Sequence, residues 1–151
     1  MILDEFYKLK NNQRIPKVAL GTWQTPNDVA KTAVEAAIKV GYKHIDTAIA
    51  YGNEEGVGAG IKTALVETGI HRDSIFVTSK IPAEVKSYKE AEQNILDSFA
   101  RLDCSHVDMM LIHAPRPWDE MREFKGNHYY DENLEVWKAL EGAYAAGRFR
   151  A

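Results

Sequence analysis

The sequence predicts an α/β fold in which short parallel strands alternate with helices, as in a (β/α)8 TIM-type barrel. Three observations carry this. Apolar runs of strand length alternate four times with helix-patterned segments, and such alternation implies parallel strands joined by crossovers. Three successive strands end on a polar residue, Asp46, Lys80 and His113, and in barrels that C-terminal rim is where chemistry is placed. No Gly-x-Gly-x-x-Gly follows the first strand, so the dinucleotide fingerprint of the competing architecture, an open doubly wound sheet, is missing.

The first stretch, 7–15, alternates around Asn11-Asn12 and reads as a β-hairpin. Val18-Ala19-Leu20-Gly21 reads as a buried strand, followed by the loop Thr22 to Pro26. A helix from about Asn27 carries Val29, Ala30, Ala33, Val34, Ala37 and Ile38 as its apolar stripe, and Gly41 ends it. Lys43 to Asp46 is the second strand. Asn53 is the expected N-cap of a second helix, with Val57, Ile61, Ala64 and Leu65 inward and Gly69 past its end. The third strand spans Ile75 to Ser79 and ends on Lys80. Ser87-x-x-Glu90 has capping-box spacing before a helix with Ala91, Ile95, Phe99 and Leu102 on one face. Val107 to Ile112 is the fourth strand, ending on His113. The segment 114–133 is long for a connection and carries two prolines, Trp118, Tyr129 and Tyr130, the make-up of a lid or binding loop. A fourth helix runs from Leu134 to Ala146 with Leu134, Val136, Trp137, Leu140 and Tyr144 inward and Gly147 as its stop.

The expected organisation is therefore a hairpin over 1–16, four β/α units over 17–147, and the start of a fifth strand over 148–151. A complete barrel takes about 250 residues, so these 151 residues hold about half of one. Four strands leave two sheet edges open. A C-terminal half, on this or another polypeptide, or a second copy of the chain would cover them.

Composition narrows the function classes. A chain that is 45% hydrophobic and 27% charged with a net charge of −3 has a soluble globular profile and no basic footprint for nucleic acid. No apolar run reaches membrane-spanning length. The single cysteine, Cys104, has no internal disulfide partner and suits a reducing, cytoplasmic compartment. His44, His71, His106 and His128 are scattered without ligand spacing, so no metal is expected.

The organising stretch is Gly41 to Glu54. A carboxylate at the end of a buried strand is costly unless a cation pairs with it. Adjacent parallel strands lie about 4.8 Å apart, so Lys80 on the next strand is the expected partner of Asp46. His113 can reach over the same rim, and Tyr51, in the loop above Asp46, can lean toward Lys80. A phenol beside an ammonium can act as general acid toward an oxygen gaining negative charge, and an imidazole can orient that oxygen. This suits hydride addition to a carbonyl. No side chain supplies a hydride, so a nicotinamide cofactor is implied. Taken singly, each residue has a plainer role: a rim ion pair for Asp46 and Lys80, packing for Tyr51, a strand-end hydrogen bond for His113, loop packing for Trp23 and Trp118. A barrel enzyme using Lys80 in a Schiff base is a further alternative, disfavoured because a close Asp46 keeps the amine protonated.

Beyond the cluster, Leu20-Gly21-Thr22-Trp23, Gly41 to Ala48 with Tyr51-Gly52-Asn53-Glu54, Phe76 to Ile81, Asp108 to His113 before Pro115, and Trp137 to Glu141 together resemble the N-terminal half of an aldo-keto reductase. The resemblance covers essentially the whole chain. It implies an (α/β)8 barrel that reduces aldehydes and ketones with NADPH, with Asp46, Tyr51, Lys80 and His113 as the catalytic tetrad. It implies cofactor contacts from Gly21, Thr22, Trp23 and Asp46, and substrate contacts from Trp23, Tyr51, His113 and Trp118. Most of the cofactor site would lie in the C-terminal half. The Ala48-Ile49-Ala50 loop and His113-Ala114-Pro115 resemble the prokaryotic branch of diketogluconate and glyoxal reductases, which act on small dicarbonyls and keto sugars.

Overall fold

The computed structural model describes residues 1–104, 106–123 and 126–151. A hairpin of β1 (Phe6–Lys8) and β2 (Arg14–Pro16) pairs antiparallel, Tyr7 facing Ile15. Its turn places Asn12 at a φ of 68°, in the left-handed region that asparagine tolerates. A parallel four-stranded sheet follows in the order β3 (Leu20–Gly21), β4 (His44–Asp46), β5 (Phe76–Ile81), β6 (Met109–Ile112). The connecting helices are α1 (Asn27–Lys39), α2 (Glu54–Thr68) and α3 (Tyr88–Leu102), and α4 (Tyr130–Ala145) follows β6. Among the described residues the sheet stays open, and no helix is long and apolar enough to cross a membrane.

Strand parity sorts the side chains. Ile45 of β4 and Val77 of β5 pack with Ala30, Val34 and Ile38 of α1 and Val57 and Ile61 of α2. Ile81 and Met110 pack with Ala91 and Ile95 of α3 and Val136 and Leu140 of α4. Because successive residues of a strand point to opposite faces, the alternate set His44, Asp46, Thr78, Lys80, Leu111 and, beyond β6, His113 belongs to the face away from the helices. The helix layer is tight. A Cβ on Gly58 of α2 would stand 2.2 Å from the carbonyl oxygen of Leu102 at the end of α3, and one on Gly56 would stand 1.9 Å from the carbonyl oxygen of Asn27.

Several element boundaries differ from the sequence expectation. Val18 and Ala19 lie outside β3, because this edge strand pairs with β4 at only two positions, Leu20 facing Ile45 and Gly21 facing Asp46. β5 extends through Lys80 to Ile81, since β6 keeps pairing that far: Lys80 faces Leu111 and Ile81 faces Ile112. Val107 leaves the β6 ladder and instead makes an isolated parallel bridge with Phe149. Helix α4 starts four residues early. Its acidic first turn, Asp131 and Glu132, suits a helix N-terminus, and Tyr130 belongs to the helix rather than to the loop. Leu134, Trp137 and Tyr144 are about half exposed, leaving Val136, Ala139 and Leu140 as the buried stripe of α4; Val29 of α1 is likewise exposed. Asn53 stands at the N-cap position of α2 but makes no capping bond. Ser87 does cap α3, accepting from the Glu90 amide at 3.3 Å, and its hydroxyl donates to the Glu90 carboxylate at 2.8 Å. In the expected loop 114–133, Trp118–Glu120 form a 3-10 turn; Phe124 and Lys125 lie outside the described residues.

Candidate active site

Lys80 is the hub. It sits two residues beyond Thr78, the register partner of Asp46, so its side chain shares the face of Asp46 and reaches back over the end of β4. Its Nζ donates to Asp46 Oδ1 at 2.6 Å and to the Thr47 carbonyl at 2.7 Å, and it lies 3.3 Å from the Tyr51 hydroxyl. The Lys80 side chain is only 12% exposed and Asp46 32%, a setting in which charge-assisted bonds are strong. Tyr51 ends the 3-10 turn Ile49–Tyr51, and Gly52 reverses the chain after it with a φ of 67°.

The phenol faces a cleft of about 520 Å³ lined by Trp23, Ala50, Tyr51, His113 and Trp118. Its aromatic rings meet in series. Trp23 lies 4.9 Å from Tyr51, Tyr51 lies 5.5 Å from His113, and His113 meets Trp118 edge-on at 5.0 Å, all centroid to centroid. His113 Nδ1 is buried and, among the described residues, has no hydrogen-bond partner. Burial first, and then the Lys80 ammonium, push the His113 imidazole below its ordinary range, while Asp46 and Glu84 pull the other way. The ring is therefore neutral near pH 7 and can present an N–H without carrying charge.

All four expected catalytic side chains thus converge on one rim, with Trp23 and Trp118 as walls. Gly21 has open space where a Cβ would project. The Thr22 hydroxyl points elsewhere. It is buried and donates to the Asp46 carbonyl at 3.2 Å, beside the Thr22 amide, which donates to the same oxygen at 3.0 Å.

The model of the aldo/keto reductase family matches residues 17–151. The chain belongs to this family. Among curated members it is 37% identical to a glyoxal reductase of Bacillus subtilis over 150 residues, covering 99% of this chain and 48% of that protein. It is 35% identical to the methylglyoxal reductase DkgA of Escherichia coli K12 over 133 residues, covering 88% of this chain and 42% of that one. Family members of known structure superpose well. An aldo/keto reductase of Brucella melitensis gives a TM-score of 0.83 at 36% identity, covering 97% of this chain and 50% of the other. A Bombyx mori aldo-keto reductase in complex with NADP gives 0.81 at 30% identity, covering 97% and 48%. The chain spans about half the length of the curated relatives it matches.

Asn53 and Glu54, which in the sequence mark a helix start, brace this rim. Asn53 donates its amide to the carbonyls of Thr22 at 2.8 Å and Thr25 at 2.9 Å, and accepts from the Thr47 hydroxyl at 3.1 Å. Glu54 is fully buried. Its carboxylate accepts from Ser79 at 2.7 Å, Ser98 at 2.6 Å and Arg101 Nε at 2.9 Å. The available signal was chemical: a carboxylate on a helix turned toward a sheet needs donors, and Ser79, Ser98 and Arg101 fall on the facing sides of β5 and α3.

Proposed function

We propose that this chain carries the proton-donating part of an NADPH-dependent reductase of small aldehydes and ketones, built as about half of a (β/α)8 TIM-type barrel. The observation that supports it most is the Lys80 ammonium held between the Asp46 carboxylate and the Tyr51 hydroxyl at the mouth of an aromatic cleft. Methylglyoxal and glyoxal, the compounds named in the relatives' activities, fit a cleft of this size, as does a keto sugar.

In this reading the substrate's carbonyl oxygen lodges between the Tyr51 hydroxyl and His113, with Trp23 and Trp118 shielding it from water. Tyr51 gives its proton to that oxygen as the carbonyl becomes an alcohol. Lys80 stabilises the phenolate left behind, and Asp46 and the Thr47 carbonyl keep the ammonium in place. Neutral His113 donates a hydrogen bond that orients the carbonyl without competing as an acid. Gly21, Trp23 and the partly exposed edge of Asp46 fit the reactive end of a nicotinamide, and Thr22 serves by fixing their loop. When bound, NADPH supplies the hydride. The test is NADPH oxidation with methylglyoxal. Tyr51→Phe is expected to lower turnover about a thousandfold; unchanged turnover removes Tyr51 from the mechanism.

A second reading is favoured by the open sheet. Beside β6 lies a cleft lined by Met110, Leu140, Tyr144 and Phe149, and Leu111 on the far face is 39% exposed. On this reading the 151 residues are inactive alone and pair with a C-terminal half or a second copy. Intact and solution masses, measured with NADPH binding, separate the two.

A further inference from the structure

We propose that Asn53 is a positioning residue that fixes Trp23 against the Tyr51 ring, and so sets how tightly the cleft grips its substrate. The Trp23 loop connects β3, an edge strand of two residues, to α1. Packing does little to hold it: the Trp23 side chain is 61% exposed, and Gln24 beside it takes a φ of 58°. The Thr22 amide and hydroxyl tie the start of the loop to the Asp46 carbonyl and the Thr25 amide closes it onto the Thr22 carbonyl; the Asn53 amide joins its two ends to the start of α2. Asn53 Nδ2 donates to Thr22 O and Thr25 O, the two carbonyls that flank Trp23 and Gln24. The same side chain accepts from the Thr47 hydroxyl, and the Thr47 carbonyl in turn receives Lys80. Asn53 is 1% exposed, and both donors and its acceptor are engaged.

The ordinary duty of an asparagine at this position is to cap its helix. Asn53 does not: its side chain makes no bond to the amides of α2, and all of its bonding is directed at the rim. It also follows Tyr51 by two residues, so the phenol and the clamp on Trp23 share one short piece of backbone. The Lys80 and Tyr51 contacts do not depend on the amide, because Thr47 is held separately by its own N–H to the Thr78 carbonyl at 2.9 Å. Loss of the amide therefore loosens the loop that carries Trp23, which keeps only its Thr22 bonds to Asp46 and its internal Thr25 bonds, and leaves the proton donor in place. The effect falls on substrate fit, a consequence that rests on the reductase reading.

The experiment is NMR of the chain with 15N-labelled tryptophan and asparagine. Asn53→Asp keeps the shape and the acceptor for Thr47 but removes both donors. The expected result is a shifted, broadened indole N–H signal for Trp23, with those of Trp118 and Trp137 unmoved. Thr47→Val, which spares both loop bonds, is expected to leave the Trp23 signal in place. In the unmodified chain the Asn53 amide protons are expected to exchange slowly with solvent. This measurement needs no variant to fold. An unmoved Trp23 signal in folded Asn53→Asp, or Asn53 amide protons exchanging at solvent rates, overturns the proposal. With methylglyoxal and NADPH, Asn53→Asp is expected to raise KM about tenfold with kcat changed less than about twofold; a fall in kcat alone would also overturn it. Absence of turnover in the unmodified chain would point to the second reading, in which it needs a partner half, and the indole signal would still decide the role of Asn53.

Discussion

Glu54, in the first turn of α2, accepts a 2.7 Å hydrogen bond from Ser79, the residue immediately before Lys80. Parity puts Ser79 on the helix side of β5 and Lys80 on the other, so one carboxylate behind the sheet fixes the height of the ammonium in front of it. Ser98 and Arg101 of α3 complete the set of donors. Glu54→Ala leaves Arg101 facing a void and both serines without an acceptor. The expected loss of stability is about 3 kcal/mol, read as a lower urea midpoint with an unchanged slope. An unchanged midpoint would mean the network contributes nothing net.

The approach of α2 to the end of α3 depends on Gly58. Its missing side chain lets the Leu102 carbonyl come within 2.2 Å of where a Cβ would be, and backbone cannot step aside as a side chain does. Gly58→Ala is expected to cost about 2 kcal/mol, despite alanine's better helix propensity. A thermal melt showing equal or higher stability would contradict the packing described for these two helices.

His44 links the hairpin to the sheet. Its Nε2 lies 2.9 Å from Thr78 Oγ1 and its Nδ1 lies 3.4 Å from the Pro16 carbonyl. Burial pushes this imidazole below its ordinary range, against the pull of the Pro16 carbonyl and Asp46. His113 and His106 are displaced the same way, also chiefly by burial. A folded chain that resists protonation binds fewer protons than the unfolded chain once the pH drops below the unfolded histidine value, about 6.5. Stability therefore falls as the pH falls through that value, until the lowered folded values are reached. The melting temperature is expected to decline between about pH 7 and about pH 5.5, before the carboxylates titrate. A rise over that interval would refute the burial assigned to these rings.

The order of strands and helices was legible in the sequence because each strand is a short apolar run and each helix carries a periodic stripe. Asp46, Lys80 and His113 stood out because charged or polar groups closing apolar strands demand partners. What was illegible depended on geometry between segments. The carbonyls of Thr22 and Thr25 that engage Asn53 are backbone atoms with no sequence signature. Asn53 and Glu54 therefore read as the start of a helix, although their partners lie on other elements. The half-exposed positions of Leu134, Trp137 and Tyr144 were equally hidden, since periodicity marks an apolar face without saying what covers it.

In the proposed reductase mechanism Lys80 and Tyr51 act as a unit, the ammonium stabilising the phenolate that remains once the proton has left. A double-mutant cycle on NADPH-linked carbonyl turnover tests it most directly. Tyr51→Phe combined with Lys80→Met is expected to lose no more rate than the more damaging single variant. Losses that multiply would show two residues acting independently and would rule out the shared role of ammonium and phenol.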